Sequence, residues 1–194
     1  MNPRIATKSR KTNETDIHVS LNLDGTGEYQ ISTGIPFFDH MLAQLARHGH
    51  FDLEINAKGD LEIDGHHTVE DVGWVLGQAL REALGDRRGI TRFGHAYVPL
   101  DEALTRVVID LSGRPYLVYK ADFRSARVGD LQTELIEEFL KALVQEGRFN
   151  LHVENLYGRN QHHIAETIFK AAARALHIAT RVAHGEIPST KGVL

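Results

Sequence analysis

The sequence predicts an α+β fold built from one unit used twice, with helices packed on one face of each sheet, and three observations carry that reading. The cassette His66-His67-x-x-Glu70 recurs ninety-six positions later as His162-His163-x-x-Glu166. It sits inside a longer repeat: with His40 placed over Glu138, Met41-Leu42 falls over Phe139-Leu140, Leu45 over Leu143, Gly49 over Gly147, and Phe51-x-Leu53-x-Ile55 over Phe149-x-Leu151-x-Val153. In each half, stretches of period-two apolar alternation are interleaved with stretches of helical period. Upstream, Val19-x-Leu21-Asn22-Leu23-x-Gly25 lies over Val107-x-Ile109-Asp110-Leu111-x-Gly113 and Glu14 over Glu102. The shorter offset there implies an insertion of about ten residues in the second half. The expected organisation is one domain over residues 1–194 made of two pseudo-repeats, about 1–99 and 100–194.

Taken in chain order, Ile17-x-Val19-x-Leu21-x-Leu23 alternates with polar residues and stops at Asp24-Gly25-Thr26-Gly27, a half-buried strand and a turn, with Tyr29 to Ser32 expected to return as its hairpin partner. From Pro36 to Arg47 the apolar residues Phe37, Met41, Leu42 and Leu45 recur at helical spacing, with Pro36 tolerated in the first turn and Gly49 as the stop. Phe51 to Ile55 and Leu61 to Ile63 read as strands, and the cassette then opens a helix carrying Val72, Val75, Leu76, Ala79, Leu80 and Ala83 before Gly85. The second half repeats the order, with strands at Arg106 to Leu111 and Tyr116 to Tyr119, a helix from Leu131 to Gln145, a strand at Phe149 to Val153 and a helix from His162 to about Ala183.

Composition narrows the function. A chain of 194 residues that is 42% hydrophobic and 25% charged can bury a substantial core, and no Pro/Gly/Ser-rich linker divides it. With no cysteine, disulfides and thiolate metal sites are excluded, so any ligands are nitrogen and oxygen. The polar opening to Asp16 lacks the apolar stretch of a signal peptide and no run is long enough to cross a bilayer, so a soluble cytoplasmic protein without a membrane role is expected. A formal charge of −4 with scattered basic residues gives no pull toward nucleic acid.

The doubled cassette is therefore the centre of the chemistry. Two imidazoles and a carboxylate per copy form the ligand set of borderline divalent metals, and two copies suggest two ions. On a helix, adjacent residues diverge by about 100° while positions three and four apart share a face. One helix thus offers one histidine with its glutamate to one ion, and the neighbouring histidine is free for a second. The symmetry of the repeat suggests an exchange in which one ion takes His66, Glu70 and His163 and the other takes His162, Glu166 and His67, within a chain or between chains. His40 and Glu138, at equivalent places in the preceding helices, are the candidates to complete the two sets.

The segments Phe37-Phe38-Asp39-His40-Met41-Leu42, Asp64-Gly65-His66-His67-Thr68-Val69-Glu70-Asp71, Leu100-Asp101-Glu102, Asp110-Leu111-Ser112-Gly113-Arg114-Pro115, His162-His163-Ile164-Ala165-Glu166, Phe169-Lys170-Ala171 and Ile187-Pro188-Ser189-Thr190-Lys191-Gly192 together resemble the imidazoleglycerol-phosphate dehydratase family. The resemblance runs nearly end to end and is to the monofunctional form, with no phosphatase domain. It implies a duplicated fold of the ribosomal protein S5 domain 2 type and a hydro-lyase of histidine biosynthesis. Such an enzyme dehydrates imidazole glycerol phosphate to imidazole acetol phosphate through an imidazolate held by two manganese ions. It further implies two Mn2+ per subunit and a homo-oligomer of 24 subunits with the metals at subunit contacts.

Carried over by motif, one manganese is held by His40, His67, His162 and Glu166, and the other by His66, Glu70, Glu138 and His163. Many family members have histidine where this chain has Glu138, a harder ligand suited to manganese. The resemblance places Glu14 and His48 at the substrate as proton-transfer candidates, with Asp101 and Lys170 in support. The same resemblance puts Arg92, Arg114, Ser189, Thr190 and Lys191 on the substrate phosphate, where forked guanidinium groups suit the chemistry. His40, His66, Glu70 and His162 also face substrate in that scheme. Several residues have a plainer reading. Arg87-Arg88 is a basic pair beyond a helix end, and His18, His95, His177 and His184 are surface or core histidines. His50 and His152 fall outside the cassette, and Trp74 and Phe37-Phe38 belong to the core. A two-metal phosphoesterase would lean on bridging aspartates, of which the cassette offers only Asp71, and a non-catalytic metal-dependent assembly module would need neither Glu14 nor the phosphate set.

Overall fold

The computed structural model describes residues 3–183, 185–192 and 194, so His184 lies outside the described residues. In chain order the first half comprises β1 (Ile5–Lys11), β2 (Thr15–Asn22), β3 (Tyr29–Ser32), α1 (Pro36–Gly49), β4 (Asp52–Gly59) and α2 (His66–Leu84). The second comprises β5 (Phe93–Leu100), β6 (Ala103–Asp110), β7 (Tyr116–Lys120), a ribbon of β8 (Arg127–Val128) and β9 (Leu131–Gln132), α3 (Leu135–Gly147), β10 (Asn150–Tyr157) and α4 (Gln161–Thr180). The two four-stranded sheets have the same order, β1-β2-β4-β3 and β5-β6-β10-β7, so the α+β duplication read from the repeat is the architecture.

The helices pack on one face of each sheet, α2 on β1 and β2 and α4 on β5 and β6, while α2 packs on α3 and α1 on α4. Buried apolar side chains from both halves form one cluster. At its centre the ring of Phe139 meets Phe38 edge-on at 5.3 Å and stacks on Phe169 at 5.6 Å, tying α3 to α1 and α4. The α2–α3 crossing depends on small residues. A Cβ added at Gly73 would stand 2.6 Å from the Phe139 carbonyl oxygen, and one at Gly77 2.7 Å from that of Leu143. The two backbones are thus held close enough to set the position of the cassette at the start of α2.

Several expectations are corrected. Tyr29–Ser32 pairs with β4 in parallel rather than returning beside β2, because β4 occupies the place next to β2. Leu61–Ile63 is a turn, with Ile63 69% exposed, since β4 runs on only to Gly59. Leu131 belongs to the ribbon and α3 begins at Leu135. That ribbon sits in the segment of fourteen residues between β7 and α3, where β3 and α1 are separated by three, and it accounts for the insertion inferred from the repeat offset. The second sheet begins with β5 at Phe93, before the expected boundary near 99, because β5 pairs with β6 along its whole length. Arg87 is not on the surface: at φ 60° the chain turns it inward to 5% exposure, where its guanidinium donates to the carbonyls of Leu111, Gly147 and Arg148. Arg88 is exposed, as read, and pairs with Asp86. Phe37 and Phe38 are core, and Trp74 is half-buried under the Arg10 guanidinium.

Candidate functional site

The first turn of α4 is set by Asn160, whose side-chain oxygen accepts from the backbone amides of His162 and His163 at 2.9 and 3.4 Å. From that fixed start, His162 and Glu166 share a face, and α1 brings His40 against them. His162 Nε2 lies 2.9 Å and His40 Nε2 3.3 Å from the same oxygen, Glu166 Oε2. The other oxygen, Oε1, is paired with Lys170 one turn further on. Phe37 packs edge-on against the His162 ring at 5.1 Å and limits its rotation.

Burial raises the Glu166 carboxyl, but the hydrogen bonds from Lys170, His162 and His40 outweigh it and hold the group at about 2. An ionised oxygen and two imidazole nitrogens therefore converge, each ligand atom within 4.8 Å of the others. In a six-coordinate ion with ligands at about 2.1 Å, neighbouring ligand atoms stand about 3 Å apart, so the three groups fit a metal of that kind. The His40 and His162 side chains are 43% and 45% exposed, which leaves the outer side of the cluster open to further ligands.

Among the described residues this is the single group of three or more potential ligands. His67 is not part of it: its Nδ1 lies 3.0 Å from Asp60 Oδ2, and its Nε2 is 3.9 Å from Glu14 Oε1. The other set does not converge within the chain. His66 Nε2 and Glu70 Oε2 stand 4.0 Å apart on α2, Glu138 on α3 pairs with Lys141 at 3.4 Å, and His163 Nδ1 contacts Glu102 Oε2 at 2.8 Å. Asp71 faces away, accepting from Thr15 Oγ1 at 2.5 Å and Arg10 Nε at 3.0 Å, so the one aspartate of the cassettes is occupied in holding β1 and β2 to α2.

The profile described as Imidazoleglycerol-phosphate dehydratase matches residues 33–176, which include the whole cluster. The chain belongs to the imidazoleglycerol-phosphate dehydratase family. The chain is 61% identical to the imidazoleglycerol-phosphate dehydratase of Magnetococcus marinus and 62% identical to that of Gluconacetobacter diazotrophicus, with 98% of each chain covered in both cases. Among solved structures, the dehydratase from Staphylococcus aureus superposes with a TM-score of 0.83 at 40% identity, covering 93% of this chain and 99% of that one. The Pyrococcus furiosus dehydratase superposes with a TM-score of 0.84 at 38% identity, covering 96% and 100%. As a member of this dehydratase family the chain is a hydro-lyase, and among its described residues no helix is long and apolar enough to cross a membrane.

The remaining dehydratase candidates fall into two places. His48 lies on the His40 face of α1, two turns on, its Nε2 3.2 Å from Gln44 Oε1, while Gln44 Nε2 reaches His40 Nδ1 at 3.4 Å. Burial, and then the positive charges of Lys170 and Arg174, push the His48 imidazole down from its ordinary value. Gln44 was not singled out from the sequence, though the spacing of 40, 44 and 48 places all three on one helical face.

The expected phosphate residues gather elsewhere. Arg92 holds Asp110 through Nε at 2.7 Å and Nη2 at 3.2 Å and donates from Nη1 to the Pro188 carbonyl at 2.8 Å. The chain end also passes by Gly113, where an added Cβ would stand 3.0 Å from the Leu194 carbonyl carbon, beside Arg114. Ser189 Oγ accepts from the amide of Lys191 at 3.2 Å, and Thr190 and Lys191 are exposed. Arg92 is bonded through its backbone amide to Ala179 at the far end of α4, about 25 Å from His162 along the helix at about 1.5 Å per residue.

Proposed function

We propose that this chain removes water from imidazole glycerol phosphate to give imidazole acetol phosphate, a step of histidine biosynthesis, at a site completed only between chains. The observation that carries the reading is the convergence of His40, His162 and Glu166 in a member of this family, with the rest of the chemistry held apart. A substrate with an imidazole at one end of a three-carbon chain and a phosphate at the other cannot reach from His162 to Arg92 of the same chain. His67, the fourth ligand carried over for this set, is likewise absent from the converging group and lies instead beside Asp60 and Glu14. The 194 residues act as one dehydratase unit of two pseudo-repeats in a homo-oligomer of 24 subunits in the cytoplasm, with the metals at the subunit contacts.

In this reading His40, His162 and Glu166 with His67 of a neighbouring chain hold one Mn2+, and His66, Glu70, Glu138 and His163 hold the other, giving two per subunit. When bound, the ions supply Lewis-acid withdrawal of electrons from the substrate imidazole ring. The protein groups do the rest. Lys170 neutralises Glu166 Oε1 and leaves Oε2 for the ligand role. Because Glu14 stands 3.9 Å from His67 Nε2, the chain that donates His67 brings the Glu14 carboxylate with it. Glu14 takes the proton from the carbon next to the one that loses its hydroxyl and passes it to that hydroxide as water leaves. His48, held neutral by its surroundings, acts as the base that takes the proton of the resulting enol and returns it to the carbon beside the ring, giving the ketone. Arg92, Arg114, Ser189, Thr190 and Lys191 grip the phosphate.

The commitment of Asp71 to Arg10 and Thr15 removes the bridging aspartate that a two-metal phosphoesterase would use. The test is to supply the purified protein with Mn2+ and imidazole glycerol phosphate and to follow the ketone product and inorganic phosphate together. Ketone without phosphate, lost on chelation, supports the dehydratase. Phosphate release would point to the phosphoesterase, and no turnover to a metal-dependent assembly module.

A further inference from the structure

Of the three cassette histidines outside the His40 cluster, His67 and His163, the second of each pair, are held in the same way by different parts of the chain. His67 Nδ1 lies 3.0 and 3.2 Å from the two carboxylate oxygens of Asp60, and His163 Nδ1 lies 2.8 Å from Glu102 Oε2. In both, the opposite nitrogen looks outward past a second carboxylate: His67 Nε2 stands 3.9 Å from Glu14 Oε1, and His163 Nε2 4.0 Å from Asp101 Oδ2.

Duplication alone does not produce this match. Asp60 lies between β4 and α2, whereas Glu102 lies in the turn between β5 and β6. The repeat places Glu102 over Glu14, yet Glu14 faces the other nitrogen of its histidine. Each orienting carboxylate is itself restrained. The Asp60 side chain is only 14% exposed, and Glu102 Oε1 accepts the backbone amides of Arg159 and Asn160 at 2.9 and 2.6 Å.

We propose that Asp60 and Glu102 are positioning residues that hold the Nδ1 edges of His67 and His163, so that Nε2 is the nitrogen each presents to a metal ion. The proposal rests on the metal-binding reading of the cassettes. A ligating imidazole whose second nitrogen donates to a carboxylate is fixed in tautomer and ring orientation and is a stronger donor to the metal. Loss of such a partner costs about 10–100-fold in metal affinity.

The test is a Mn2+ titration of metal-free protein, read by the spin-resonance signal of free Mn2+, alongside the thermal midpoint of the same metal-free samples. Asp60→Ala is expected to weaken one ion by 10–100-fold and to leave the metal-free midpoint at the wild-type value. Asp60→Asn, which keeps an acceptor oxygen, is expected to recover most of that affinity. Glu102→Gln, which keeps the contacts to the Arg159 and Asn160 amides, should weaken the other ion. His67→Ala is the control and should lose one ion. Wild-type affinity in Asp60→Ala with an ion lost in His67→Ala would overturn the positioning role while leaving the metal reading intact. Both ions retained in His67→Ala would overturn the metal reading itself. A midpoint lowered equally in Asp60→Ala and Asp60→Asn would show Asp60 to be structural.

Discussion

His162 Nε2 and Glu166 Oε2 face each other at 2.9 Å across one turn of α4, whereas the equivalent pair on α2, His66 and Glu70, stands 4.0 Å apart. The difference follows from what surrounds each glutamate. Glu166 is drawn in by Lys170 and by His40 on α1, while Glu138, the counterpart of His40, is engaged by Lys141 instead. One half-site is gathered in advance within a chain and the other is not.

That gathering has an acid signature. Glu166 sits at about 2 rather than 4.5, so its contribution to the stability of metal-free protein is full above 4.5 and is lost as pH falls through about 2. Glu166→Gln should flatten that part of the acid limb, read as the denaturant midpoint of metal-free protein against pH. An unchanged limb would mean that Lys170, His162 and His40 do not hold the carboxylate.

His48 gives a signature in the opposite direction of charge. Burial, Lys170 and Arg174 lower its value from 6.5, so the imidazole stays neutral as pH falls below 6.5 until its lowered value is reached. Lys170→Met removes one of the positive neighbours, and the acid limb of kcat/KM should move to higher pH even as the rate falls. A limb that does not move would separate His48 from the proton transfer.

Much of this arrangement was legible in the sequence because the repeat carried both periodicity and ligands. The elements that escaped did so for physical reasons. β1 is an edge strand, Ile5–Lys11, whose one fully buried side chain is Ala6, so its alternation is almost silent in hydrophobicity. β5 turns Gly94, Ala96 and Val98 inward and leaves Phe93 and Tyr97 exposed, the reverse of the usual pattern. An added Cβ at Gly94 would lie 2.0 Å from the Ala175 carbonyl oxygen, so α4 leaves no room for a side chain there. Ile63 alternated convincingly but is exposed in a turn. Within the site, the spacing of His162 and Glu166 was readable from helix geometry. That His67 and Arg92 do not join that pair was not, because it depends on how the two halves pack on each other.

Arg92 is expected to act on binding and not on metal. Its guanidinium already joins Asp110 to the Pro188 carbonyl, placing it against the segment that carries Ser189, Thr190 and Lys191. Arg92→Ala should raise KM more than ten-fold, since charge-assisted bonds of this kind contribute about 1.5 to 3 kcal/mol each, with two metals per chain retained. Arg114→Ala should behave in the same way. Metal loss with unchanged KM would assign these arginines to the fold instead.

Glu138 is half-buried and, among the described residues, bonded to Lys141 alone, so it can turn to a metal at small cost. Glu138→Gln should lower occupancy of one ion while His40, His67, His162 and Glu166 keep the other, and activity should fall severely. Glu138→His should keep two metals and much of the activity. Two ions per chain and normal turnover in Glu138→Gln, by elemental analysis and assay, would exclude Glu138 as a ligand and direct attention to His152.

The most direct measurement mixes two inactive variants, His40→Ala and His67→Ala, after dissociation in chelator, and reassembles them together with Mn2+. A site shared between chains takes the His40 cluster from one and His67 with Glu14 from another, so hybrids contain sites with neither lesion. The mixture should therefore regain dehydratase activity that neither parent shows. A reassembled mixture as inactive as its parents, beside wild-type protein that recovers from the same treatment, would contradict a site completed between chains.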